Sequence, residues 1–219
     1  MDEFTVFYSN RLKFLGSSQT VDMADFRPIA IGNADKSLPF SEVEVNDIKA
    51  QYPQALILIG DKATKAQLIS QSGNYNVLHF ATHGILDYSN FDSSYLVMAP
   101  DKNVGDNGHF TLNDIGELNR IDEYNMVVLS ACETAVKNDL IEGYPQTTAS
   151  AFLKAGVETV IASLWQVDDR ATSILIREFY NNLKTMNKVE ATHKAQIDLS
   201  KMKGFEHPYY WAPFAYYGK

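Results

Sequence analysis

The one cysteine of the chain, Cys132, stands in the run MVVLSACET, and His83 stands 49 residues before it in VLHFATHG. A thiol becomes a strong nucleophile near neutral pH once a base or a positive charge favours the thiolate. A nearby imidazole supplies that base and can later return the proton to a departing amine. Acyl transfer also needs two N–H groups for the oxyanion. The amides of Gly84 and Cys132 are the candidates, and a glycine admits a substrate backbone at close range. Plainer readings stand beside this one. A cysteine is often just a small buried hydrophobe. His79, flanked by Leu78 and Phe80, reads as a core histidine with a hydrogen-bond partner. His79 and His83 have the spacing of metal ligands on a helix, but on a strand that spacing does not converge and no third ligand follows nearby; no metal is expected. His109, His193 and His207 carry no motif and read as surface residues. The isolated glycines at 32, 60, 84 and 116 form no phosphate-binding fingerprint, which disfavours a nucleotide-binding domain, and no cofactor is expected.

The elements that must position these groups can be read from the pattern. Short apolar runs occur at 28–32, 55–60, 77–82, 95–99, 126–131 and 159–165. Most are rich in Val, Ile and Leu without polar alternation, as in strands covered on both faces of a parallel sheet. Between them lie amphipathic stretches. A helix is expected over 41–51, with Ser41 and Glu44 at capping-box spacing, and others over 63–71 and 146–155, the latter closed by Gly156. Residues 168–183 open with two acids suited to a helix N-terminus, and 189–202 form the last helix. The aromatic tail, 209–218, reads as a final strand placed at an edge or bulge by Pro213. Strands alternating with helices predict a doubly wound α/β fold whose ligands bind beyond the carboxyl ends of the strands. His83 and Cys132 both fall at such ends, so neighbouring strands would bring them to one rim.

Composition narrows the function. The 219 residues are 45% hydrophobic and 21% charged, which fits one large globular domain or two small ones. Acidic residues number 27 against 19 basic ones, for a net charge of −8, and this argues against direct nucleic-acid binding. A single cysteine excludes an intrachain disulfide and suits a reducing, cytoplasmic setting. The start, MDEFTVFYSNRLKFLG, has acids where a signal peptide carries basic residues, and no run approaches the roughly 20 apolar residues of a membrane span. No membrane partner is expected.

The histidine-first order and spacing are similar to those of caspases, although the local words differ. Five segments resemble the CHAT peptidases of the caspase–separase superfamily: VLHFATHGILD (77–87), FTLNDIGEL (110–118), MVVLSACETA (126–135), AFLKAGVETVIASLWQVDDRAT (151–172) and HPYYWAPFAYYG (207–218). RPIAIGNAD (27–35) and SEVEVNDI (41–48) fit the family's opening strand and helix. The resemblance implies a caspase-like three-layer α/β/α sandwich with a mostly parallel central sheet, in which His83 and Cys132 match the catalytic dyad and Gly84 with Cys132 the oxyanion hole. It implies a cysteine endopeptidase acting on a protein or peptide substrate through a thioester. It further implies control by a sensor or helical-repeat partner, in cis or in trans, and for some members a role in bacterial defence. The alternative is an idle CHAT module serving as a protein-interaction scaffold. The sequence departs from the family after SACETA, where AVKNDLIEGY replaces a glycine-rich stretch but keeps Glu142 and Gly143. The family's domain usually extends further upstream, so residues 1–26 read as an N-terminal extension or the remnant of an upstream part, and 27–219 as the domain.

Two further expectations concern the rim. Residues 136–146, polar and next to the nucleophile, are expected to be the moving segment. The substrate pocket is expected beside Cys132, walled by Trp165, Val167, Asp168 and Asp169. An acidic floor favours arginine or lysine and an apolar wall leucine or methionine. An acidic substrate side chain is least favoured, since Arg170 is the one arginine in these words.

Overall fold

The computed structural model describes residues 8–9, 21–87, 89–131, 140–141, 144–145 and 147–218. The chain runs β1 (Tyr8–Ser9), β2 (Pro28–Gly32), α1 (Pro39–Gln51), β3 (Leu56–Ile59), α2 (Lys65–Ser72), β4 (Val77–Ala81), β5 (Gly84–Ile85), β6 (Tyr95–Val97), β7 (His109–Thr111), α3 (Leu112–Ile115) and β8 (Met126–Leu129). It continues through β9 (Leu140–Ile141), β10 (Tyr144–Pro145), α4 (Thr148–Lys154), β11 (Thr159–Ser163), α5 (Asp169–Asn182), α6 (Lys188–Ser200), α7 (Pro208–Trp211) and β12 (Phe214–Gly218). Seven strands form the central sheet in the order β1-β12-β11-β8-β4-β2-β3. β3, β2, β4, β8 and β11 are mutually parallel; β12 runs antiparallel to β11, and β1 parallel to β12. The expected mostly parallel α/β/α architecture is thus present.

Alternate residues of the parallel strands feed two cores. Ile29, Ile31, Leu78, Phe80, Val127 and Leu129 point to the side covered by α2, α4 and the small sheet. Ala30, Val77, Val128 and Ile161 point to the side covered by α1, α5 and α6. Both faces being apolar explains the unalternating strand runs. Three local expectations are corrected. The run at 95–99 does not join the parallel sheet; β6 forms an antiparallel three-stranded sheet with β5 and β7, because the connection from β5 is too short for a parallel crossover. The aromatic tail is a helical turn, α7, before the strand, which starts directly after Pro213. Ser41 does not cap α1. Pro39, whose fixed φ suits the first helical position, starts the helix two residues earlier, with Leu38 as a cap that makes no side-chain bond.

Glu44 faces inward from α1. Its carboxylate lies 2.7 Å from Nε2 of His79, and both side chains are buried, at 1% and 0% exposure. The Tyr180 hydroxyl sits 3.3 Å from Nδ1 of His79, and Tyr180's carbonyl accepts from the Tyr52 hydroxyl. Burial pushes the Tyr180 phenol well above its ordinary value, so it stays a neutral partner. β4 is therefore tied through its middle residue to α1 and α5. A His79→Ala substitution strands the buried Glu44 and should lower stability by about 1–3 kcal/mol. Equilibrium urea unfolding reads this, and an unchanged midpoint would show that the pair carries no stability.

Candidate active site

β4 and β8 are adjacent and in register, with Phe80 opposite Leu129. His83 and Cys132 are each the third residue beyond that matched pair. Beyond β4, the Thr82 hydroxyl donates to the carbonyl of Val97 at 2.6 Å, and the carbonyl of His83 accepts from the Val97 amide at 2.8 Å. The His-Gly turn is thus clipped to β6. Beyond β8, the Ser130 amide donates to the carbonyl of Phe80 at 2.8 Å, and the Ser163 hydroxyl donates to the carbonyl of Ala131. Cys132 and most of residues 136–146, the expected moving segment, lie outside the described residues. Within that segment Leu140–Ile141 and Tyr144–Pro145 pair antiparallel.

The position of His83 follows from topology. The helix after β2 packs on one face of the sheet, while the elements after β4 pack on the other. β2 and β4 are neighbours, so the chain diverges between their carboxyl ends and leaves the crevice where α/β folds bind ligands. Into it the loop after β2 brings Asp35 and Ser37. Nε2 of His83 is 2.7 Å from the Ser37 hydroxyl oxygen and 3.8 Å from the nearer Asp35 oxygen, with the imidazole 33% exposed. The Ser37 hydroxyl donates to Asp35 at 2.7 Å, and the Ser37 amide donates to the same oxygen at 3.1 Å. A hydroxyl has a single proton, already given to Asp35. Nε2–H of His83 must therefore donate to Ser37, which leaves Nδ1 as the proton-accepting nitrogen. Partial burial works to raise the Asp35 carboxyl, but the hydroxyl and amide of Ser37 and the nearby His83 outweigh it and hold Asp35 below the ordinary aspartate range.

Asn33 shapes this loop. Its backbone is left-handed, with φ 46°, which asparagine tolerates better than most residues. Its side chain donates to Glu42 at 2.7 Å and accepts from the Leu38 amide at 2.7 Å. Asn33, Asp35 and Ser37 were not singled out in the sequence. The rule that found His83, polar residues directly after an apolar run, also applies to NADKS after β2.

The four residues expected to wall the pocket divide. Val167 and Asp169 line a narrow cleft of about 30 Å³ with Leu38, Glu44, Thr82 and Ser130 among its other walls. Trp165 does not line it; its indole donates to the carbonyl of Tyr209 at 3.2 Å. Asp168 is spent on α5, accepting from the Ala171 amide at 2.8 Å as its N-cap. Asp169 accepts from the Phe40 amide at 2.9 Å. Burial is the main influence raising the Asp169 carboxyl, helped by Asp168 and opposed by that amide and by His83. Among the described residues, no group of three or more His, Cys, Asp or Glu side chains is arranged to hold a metal ion.

The mostly parallel α/β sheet is similar to the caspase-like folds of two solved proteins. The Arg-specific cysteine proteinase gingipain R, from Porphyromonas gingivalis in a second solved structure, is similar with a TM-score of 0.59 and 13% identity, over 92% of this chain and 49% of that one. Separase from Saccharomyces cerevisiae, in complex with securin, gives a TM-score of 0.57 and 16% identity, over 89% of this chain and 12% of that one. The chain belongs to the CHAT domain family, whose signature matches residues 1–219. Tetratricopeptide repeat protein 28 from mouse is 26% identical and that from human 27%, each over 74% of this chain. The chain spans 8% of the length of either relative.

A carboxyl held below its ordinary range favours its ionic contacts above that range and loses them as pH falls through the lowered value. Ser37→Ala removes the hydroxyl donor, so the Asp35 carboxyl should titrate higher than in the parent. Carbon-13 NMR titration of the aspartate carboxyls reads the change, and an unmoved Asp35 would show that Ser37 does not link it to His83.

Proposed function

We propose that this chain is a cysteine endopeptidase with His83 and Cys132 as its dyad. The observation that carries the reading is the placement of His83 at the crevice between β2 and β4, at the end of the strand that pairs with β8, with Nε2 engaged by Ser37 and Nδ1 left to take a proton. Nδ1 removes the proton of the Cys132 thiol as sulfur attacks the scissile carbonyl. The amides of Gly84 and Cys132 receive the oxyanion. Collapse breaks the C–N bond, and the imidazolium gives its proton to the departing amine. Water then attacks the thioester with His83 again as base, which releases the acid and regenerates the thiol. Ser37 and Asp35 orient the ring and stabilise its positive charge during both steps.

Regulation by a partner belongs to the same reading. Relatives are named as tetratricopeptide repeat proteins, and separase was solved with securin. A helical-repeat or sensor segment, in cis or in trans, would act on residues 136–146 beside Cys132. A cytoplasmic setting is supported by the lone cysteine, and among the described residues no helix is long and apolar enough to cross a membrane. A role in bacterial defence is supported by the CHAT-like segments.

Cys132→Ala should abolish cleavage of a peptide library, and His83→Ala should lower it by about two to four orders of magnitude. Cleavage by Cys132→Ala at the parental rate would end the peptidase reading. Equal binding of a protein partner by the parent and both variants, without cleavage by any of them, would support the scaffold reading instead.

A further inference from the structure

We propose that the outer face of the small sheet β5-β6-β7 binds the part of the substrate that departs with the amine, and that it selects an apolar side chain within the first two residues after the scissile bond. This rests on the peptidase reading and specifies its substrate. The reaction supplies the first argument. His83 gives its proton to the departing amine, so the leaving segment begins at the imidazole. The carbonyl of His83 accepts from the Val97 amide at 2.8 Å, and β5, which starts at the next residue, is an edge strand of the small sheet. That sheet is therefore the surface onto which the leaving segment runs.

Register decides which side chains form the surface. Gly84 pairs with Leu96, and Leu96 with Phe110. Leu96 and Phe110 are buried, at 1% and 2% exposure, so their side of the sheet faces the core. Side chains alternate along a strand, which puts Ile85, Tyr95, Val97, His109 and Thr111 on the opposite face together with His83. None of these is an aspartate, glutamate, lysine or arginine. Ile85 is 44% exposed, and Ile85, Tyr95 and Val97 belong to neither core. The rings of Tyr95 and His109 stack with centroids 3.7 Å apart and planes 9° apart, a flat aromatic wall. An apolar side chain laid on this face removes surface from water on both partners. A charged one loses hydration there and meets no opposite charge on the face.

The backbone is the third argument. The bond from the Val97 amide to the His83 carbonyl makes Gly84 and Leu96 a pair whose own N–H and C=O groups point away from each other. Both groups of Gly84 therefore lie along the open edge of β5. The N–H is placed for the oxyanion, and the C=O can accept an amide N–H of the leaving segment, as when a strand is added to a sheet edge. Alternate side chains of such an extended segment turn to the outer face, so one of its first two residues meets Ile85.

The test is digestion of a proteome-derived peptide library by the full chain, with the products identified by mass spectrometry. Apolar and aromatic residues should be enriched about fivefold or more at the first or second position after the cut. Ile85→Glu, at an exposed position, should keep its Tm, lose that enrichment and gain lysine and arginine at the same position. Its pattern on the acyl side of the cut should match the parent's. Val97→Thr should weaken the apolar enrichment, again without change on the acyl side. Cleavage with no preference at either position, or an apolar preference undiminished in folded Ile85→Glu, would overturn this inference and leave the peptidase reading intact. Absence of any cleavage by the parent, while iodoacetamide alkylates Cys132, would overturn both.

Discussion

The register of β4 between β2 and β8 is the constraint on which the site depends. Parallel pairing with β8 sets Phe80 against Leu129, and so brings the chain ends that carry His83 and precede Cys132 to the same height on one rim. Parallel pairing with β2 sets Ile31 against Phe80, and so delivers the loop carrying Asp35 and Ser37 to the imidazole. A shift of one residue would reverse which face each β4 side chain meets. Phe80 would leave its apolar core, and His79 would lose Glu44 and Tyr180. The buried His79–Glu44 contact therefore guards register: it is satisfied only when β4, α1 and α5 meet in one arrangement.

The free energy of the fold and the chemistry of the rim are kept apart by a few residues. Below Ala81, β4 is buried without exposed polar atoms, and its one polar side chain is paired. Above it, Thr82 and the His83 carbonyl spend their hydrogen bonds on β6, which fixes the backbone and leaves the ring to Ser37. The rim itself is not optimised for stability. Among the described residues the hydroxyls of Ser130 and Thr172 have no hydrogen-bond partner, and Asp169 holds a carboxylate whose ionised form burial disfavours. Such costs are expected where a site is built for a ligand rather than for the empty protein.

Much of this could be read from the sequence, because burial on both faces leaves an unambiguous mark. The apolar runs at 28–32, 77–82, 126–131 and 159–165 each contain a strand of the parallel sheet. The rule that ligands gather beyond carboxyl ends then singled out His83 without reference to any contact. What escaped had physical causes. At the start of α1, Pro39 in the first turn outweighs the capping pattern of Ser41. The run at 95–99 has strand composition, and composition does not say which sheet a strand joins. Asp35 and Ser37 meet His83 across a chain separation of 46 residues for the serine, and only the strand order β4-β2 makes them neighbours. Trp165 and Asp168 stood in the right words yet face a carbonyl and a helix end, since adjacent residues of a turn point in different directions.

The alkylation rate of Cys132 as a function of pH tests most directly whether His83 activates that thiol. Iodoacetamide modification of Cys132, followed by mass spectrometry in the parent and in His83→Ala, reads thiolate formation without needing a substrate or an activating partner. If the imidazole activates the thiol, alkylation is faster in the parent near neutral pH, with the two profiles converging at alkaline pH, where any thiol ionises unaided. Superimposable profiles across the whole range would show that the imidazole does not act on the thiol, and would contradict the dyad.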